Sequence, residues 1–130
     1  MNFLLDVNAL IALGFADHEF HARMVAWVRS QRFPRLFTCS ISEIGFVRIL
    51  AQAHPDQFNT EDAKKLLFRI KKAPELTLEF LSDDNDISVL PVWAKTPGKV
   101  TDGHLEQLAR SHGAVLATFD AGIPSACRIP

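Results

Sequence analysis

Phe3-Leu4-Leu5-Asp6-Val7 constrains this chain more than any other stretch, because it is a nearly continuous apolar run with a carboxylate set inside it. A strand with one wet face alternates apolar and polar residues. A strand covered by helices on both faces reads as an unbroken apolar run. The segment therefore predicts a central strand of a parallel sheet. Directly after Phe-Leu-Leu, Asp6 has no obvious structural role, since a carboxylate near an apolar interior costs free energy unless something positive compensates it.

The rest of the chain alternates in kind. Apolar spacing predicts a short helix from Asn8 to Phe15 and a second over roughly 19–31, where Phe20, Met24, Trp27 and Val28 share a face. Leu36 to Cys39 reads as the second strand. Ser40 to Ala51 reads as a helix opened by a Ser40–Glu43 capping box. Its Ile41, Ile44, Phe46, Val47, Ile49 and Leu50 wrap it in apolar surface and predict full burial. Thr60 is expected to cap a helix to about Lys72, and Pro74 to open another through Leu81. Asp83 to Asp86 is a loop without the glycine and distal Glu of a calcium-binding hand. Ile87 to Pro91 reads as the third strand. Thr101 is expected to cap a helix that Gly113 ends, Ala114 to Phe119 is the fourth strand, and Arg128-Ile129 a short edge strand. Strands alternating with helices predict an α/β fold with helices on both faces of a parallel sheet.

The 130 residues and 48% apolar content suit a single domain over 1–130. A net charge of -1 excludes a global basic field, so any nucleic-acid contact must use a local patch. Cys39 and Cys127 form no disulfide framework and read as buried free thiols of a reducing compartment. The first strand begins right after Asn2, which leaves no room for a secretory signal, and no apolar run nears the roughly 20 residues of a membrane span. A cytoplasmic protein without a membrane partner is the expectation.

Three further acids share the topological setting of Asp6. Glu43 lies in SISEIGFVRIL, Asp102 in TDGHLEQLA and Asp120 in LATFDAGI, each where a strand ends or a helix begins. Ligands of open parallel sheets bind beyond the carboxyl ends of the strands. Each acid has a plainer explanation: Glu43 completes a capping box, Asp102 sits favourably at a helix dipole, and Asp120 precedes a turn. Together they predict one crevice. Like charges a few ångströms apart raise one another's pKa unless a cation intervenes. Hard oxygen ligands select Mg²⁺ or Mn²⁺ over zinc.

At these residues the sequence resembles the PIN-domain ribonucleases, in particular the VapC-type toxins of toxin–antitoxin pairs. LLDVNALIAL is similar to the family's opening strand, SEIGFVRIL to its second acidic segment, and TDGHLEQLA with HGAVLATFDAGI to its third and fourth. The resemblance implies a PIN-like three-layer α/β/α fold with a short central parallel sheet of four to five strands. It implies a metal-dependent endoribonuclease, the toxin of a type II toxin–antitoxin system. Asp6, Glu43, Asp102 and Asp120 then match the metal-binding carboxylates, with Glu43 acting through water or orienting it, and Asn8 the polar residue that supports them. A cognate antitoxin and a homodimer are further implications. Gly103 departs from the Ala that many relatives carry.

Secondary candidates for RNA contact are Arg48, the basic stripe Lys65, Arg69 and Lys72, and His104. The stripe also reads as a solvated face opposite Leu66 and Ile70. Trp27 reads as core, while Trp93 in its loop remains a candidate for base stacking. His18 and His21 lack a third ligand for zinc. Two other functions compete. A non-catalytic RNA- or protein-binding domain on the same fold would be expected to lose acids that this chain keeps. A haloacid-dehalogenase-type phosphotransferase requires Asp where Asn8 stands.

Overall fold

The computed structural model describes residues Met1 to Pro130. Five parallel strands form one sheet: β1 (Asn2–Leu5), β2 (Arg35–Thr38), β3 (Thr77–Phe80), β4 (Val115–Thr118) and β5 (Cys127–Arg128), in the order β3-β2-β1-β4-β5. The central strand β1 pairs with β2 and β4. Its residues divide between two cores, as a strand's period of two requires. Phe3 and Leu5 face the larger core with Trp27, Phe46 and Ile70, while Leu4 faces the smaller one with Leu105, Leu108 and Leu116.

Helices α1 (Val7–Gly14), α2 (His21–Ser30), α3 (Ser40–Ala53) and α4 (Thr60–Lys71) cover the first face. Helix α5 (Val100–Ser111) covers the second. This is the three-layer α/β/α architecture. Trp27 is core, 5% exposed. Gly113 carries the positive φ of 67° that suits the end of α5.

Four local expectations are corrected. The segment after Pro74 is not a helix but strand β3, which pairs only with β2 and buries Leu78 alone. Ile87 to Pro91 is not a strand. Asp86 accepts from the Ser88 N–H and turns the chain into a one-turn 3-10 helix, Ile87–Val89, that leaves Ile87 69% exposed. Helix α3 is not buried all round, because its buried residues are Ser42, Gly45, Phe46 and Leu50 and Ile44 faces solvent. Its cap is the Cys39–Ser42 pair rather than Ser40–Glu43, since the Glu43 carboxylate is engaged elsewhere.

Smaller shifts follow the same logic. Asn59, not Thr60, caps α4 by accepting from the Asp62 N–H. Helix α5 starts at Val100, out of a 3-10 turn over Pro97–Lys99, so Thr101 lies inside it. Cys39 is buried, and burial pushes its thiol pKa up, whereas Cys127 is only half-buried.

Candidate metal centre

Asp6 stands where β1 becomes α1. Its backbone N–H still donates to Ala117 of β4, and its Oδ1 accepts from the Val7 N–H at 2.7 Å, which caps the helix. The carboxylate is therefore fixed at the carboxyl end of the central strand while only 6% exposed. Asp102 lies in the first turn of α5, and Asp120 follows β4 after Phe119. One carboxylate oxygen from each of Asp6, Asp102 and Asp120 falls within 4.8 Å of the others.

The electrostatics of this group are unfavourable without a counter-ion. Burial pushes the Asp6 carboxyl above its usual range, against the hydrogen bonds from Thr118 and Val7, and the charges of Asp120 and Asp102 add to the rise. Burial also raises Asp102, and Asp120 adds to it, with Lys99 opposing. None of the protein's ion pairs involves any of these three carboxylates. Three hard oxygen donors, one almost fully buried and none neutralised, fit a hard divalent cation.

A threonine that the sequence did not single out ties the site together. Thr118 donates its hydroxyl to Asp6 Oδ2 at 2.8 Å and accepts from Asn8 Nδ2 at 3.3 Å and from the Asp120 N–H at 3.1 Å. Asn8 Oδ1 in turn accepts from the Phe119 N–H at 3.2 Å. The signal was present in LATFD, where a hydroxyl stands two residues before an acid at a strand end.

Glu43 lies outside the group of three. Its carboxylate accepts from the Thr38 hydroxyl and pairs with Lys71 of α4 at 2.7 Å. His104 meets the carboxylate of Asp83 and is mostly buried there. Lys65, Arg69 and Lys72 are exposed, as a solvated face would be, with Ala63, Leu67 and Ile70 turned inward. Arg48 is exposed and lines a groove between α3 and α4 with Ile44, Val47, Lys64 and Phe68. Trp93 is half-buried against the smaller core.

The comparisons with known proteins agree with this geometry. The PIN domain model matches residues 3–129. Ribonuclease VapC38 of Mycobacterium tuberculosis is 35% identical over 127 residues, which span 92% of this chain and 86% of that protein. Two solved structures share the fold. VapC20 of Mycobacterium tuberculosis, a toxin that cleaves the sarcin-ricin loop, has a TM-score of 0.62 at 14% identity, covering 93% of this chain and 92% of that one. VapBC2 of Rickettsia felis, bound to a DNA fragment from its promoter, has a TM-score of 0.61 at 12% identity, covering 98% and 97%. With Asp6, Asp102 and Asp120 gathered at the carboxyl ends of β1 and β4 and at the head of α5, the chain belongs to the PIN-domain family, among the VapC ribonucleases.

Proposed function

We propose that this protein is a Mg²⁺- or Mn²⁺-dependent endoribonuclease and the toxin of a toxin–antitoxin pair. The observation that carries the reading is the convergence of Asp6, Asp102 and Asp120 within 4.8 Å, uncompensated by any ion pair. The 35% identity with Ribonuclease VapC38, in an alignment that spans 92% of this chain, supports it. A divalent ion held there would supply a water acidic enough to attack a phosphodiester near neutral pH, and charge to stabilise the leaving oxygen. Hydrolysis adds that water across a P–O bond, leaving one phosphomonoester end and one hydroxyl end.

The chain's own residues then divide the work. Asp6, Asp102 and Asp120 hold the ion. Thr118 and Asn8 hold the donors in place: Thr118 fixes Asp6 Oδ2, and both residues bind the backbone on which Asp120 stands. Glu43 acts from outside that group, through water. An antitoxin partner is proposed on the likeness to VapBC2, and a homodimer on the family resemblance. No helix is long and apolar enough to cross a membrane.

The test uses total cellular RNA with wild-type protein and Asp6→Ala, each with Mg²⁺, with Mn²⁺ and with chelator. Metal-dependent cleavage by wild type alone is expected. Equal cleavage by both proteins, or cleavage that persists in chelator, would sink the mechanism. RNA that binds without being cut under any condition would favour a binding domain on the same fold.

A further inference from the structure

Lys99 is the cation whose charge acts on Asp102, and no carboxylate forms an ion pair with it. It ends the 3-10 turn Pro97–Lys99 and is the residue from which α5 starts. The turn is internally braced: the Lys99 N–H donates to the Thr96 carbonyl at 2.9 Å, and Pro97 fixes the first backbone angle. From there the ammonium Nζ reaches across to the loop after Asp120, coming within 3.9 Å of where a Cβ on Gly122 would stand. Lys99 thus bridges the two segments that carry Asp102 and Asp120. Its field favours the charged form of Asp102.

Four other cations of the molecule are taken up by carboxylates. Lys71 is paired with Glu43, and Arg35, Lys64 and Arg110 are paired with Glu79, Glu61 and Glu106. Lys99 is half-buried yet forms no ion pair. An ammonium beside a site for a divalent cation repels that cation, so Lys99 works against metal affinity. An anion that arrives after the metal reverses the sign. A phosphodiester brings negative oxygens to the same crevice, and more charge gathers on them as the bond breaks. Lysine binds such oxygens as a compact point charge with three donors.

We propose that Lys99 contacts the RNA phosphate being cut, donating from Nζ to a non-bridging phosphate oxygen. The inference rests on the ribonuclease reading above. Lys99 exchanges no proton in this role; it carries part of the charge that develops on phosphorus-bound oxygen.

The experiment compares wild type, Lys99→Gln and Lys99→Arg in three measurements. The first is RNA cleavage at saturating Mn²⁺. The second is Mn²⁺ affinity without RNA, read by electron paramagnetic resonance. The third is the affinity for a fluorescent RNA oligonucleotide, with Ca²⁺ in place of Mn²⁺, as a function of salt. Lys99→Gln is expected to slow cleavage about 100- to 1,000-fold, as loss of one donor to a developing oxyanion does. It should bind Mn²⁺ at least as tightly as wild type. Its salt slope for RNA should fall by about 0.7, the loss of one single-strand phosphate contact. Lys99→Arg should recover most of the rate.

Wild-type cleavage by Lys99→Gln overturns the proposal. So does a loss of rate matched by an equal loss of Mn²⁺ affinity, which would make Lys99 part of the metal site instead. If wild type cuts no RNA at all, the ribonuclease reading fails, and an unchanged salt slope in Lys99→Gln then disposes of the contact separately.

Discussion

Thr118 on β4 donates its hydroxyl hydrogen to Oδ2 of Asp6, one strand away, at 2.8 Å. Both residues are buried, 1% and 6% exposed, so water offers neither a substitute partner. The same oxygen of Thr118 accepts from the side chain of Asn8 and the backbone of Asp120. A single hydroxyl thus couples the end of β1 to the end of β4.

Replacing Thr118 with Val keeps the shape and removes the hydroxyl. The buried groups left without a partner are expected to cost about 1–3 kcal/mol, read as a lower thermal midpoint. The hydrogen bond from Thr118 lowers the Asp6 pKa, so its loss lets burial raise that pKa further. Mn²⁺ affinity should therefore need a higher pH to develop. Thr118→Ser, which keeps the donor, should follow the wild-type pH curve; a Val variant with that same curve would refute the coupling.

Asp102 gives a prediction of opposite sign for stability. Its pKa in the folded, metal-free protein is raised above the ordinary 3.8 by burial and by Asp120. The folded state thus holds the proton more tightly than the unfolded chain. Stability is greatest below the unfolded value and falls as pH rises through the window up to the folded one. At pH 7 the whole penalty is present. Asp102→Asn should melt at a higher temperature than wild type at pH 7 in chelator, with the gap closing as the solution is acidified. Added Mn²⁺ should reverse the order by stabilising wild type more. A variant that melts below wild type in chelator at pH 7 contradicts this account.

How much of this was legible in the sequence depended on what each residue's signal was. The β1 run was visible because a strand covered on both faces has no polar alternation to mislead the eye. Strand β3 was not, because an edge strand with Leu78 as its one buried residue gives almost no period, and Pro74 imitates a helix start. Ile87-Ser88-Val89 carried β-branched residues without any sheet to join. In the site, acids at strand ends announced themselves by charge. Thr118 did not, since its importance lies in three partners set by strand pairing rather than in residue type. The engagement of Glu43 by Lys71 required knowing that α4 folds back against α3, which helical periodicity cannot supply.

Gly103 follows Asp102 on α5, where Ala would suit the helix better by about 1 kcal/mol. A Cβ added there, however, would stand 2.7 Å from the Cβ of Ala94 and 3.3 Å from Leu90 Cδ1 and from Pro91 Cγ. The Ala94 Cβ has no rotamer with which to retreat, so the backbone over 90–94 must move. Overpacking of this kind costs about 1–3 kcal/mol, which exceeds or cancels the propensity gain. Gly103→Ala should therefore leave the thermal midpoint unchanged or lower it. A clear rise would show that the 90–94 segment yields freely.

Glu43 and Lys71 form a pair whose side chains are 19% and 25% exposed, between the surface and buried regimes. Thr38 adds a hydrogen bond from β2, and the Lys71 ammonium also lies 5.5 Å from the ring centre of Phe80 on β3. Glu43 thus joins α3, α4 and β2, a structural task that a metal ligand would not need. Breaking the pair by Lys71→Met should cost about 1–2 kcal/mol, more than an exposed pair and less than a fully buried one. Glu43→Gln and Lys71→Met should be non-additive when combined, since each removes the same contact. Because Glu43 stands outside the three converging carboxylates, Glu43→Gln should also lose less RNA cleavage than Asp6→Asn at saturating Mn²⁺. If Glu43→Gln were as inactive as Asp6→Asn while melting like wild type, the part Glu43 plays through water would be as indispensable as direct ligation by Asp6.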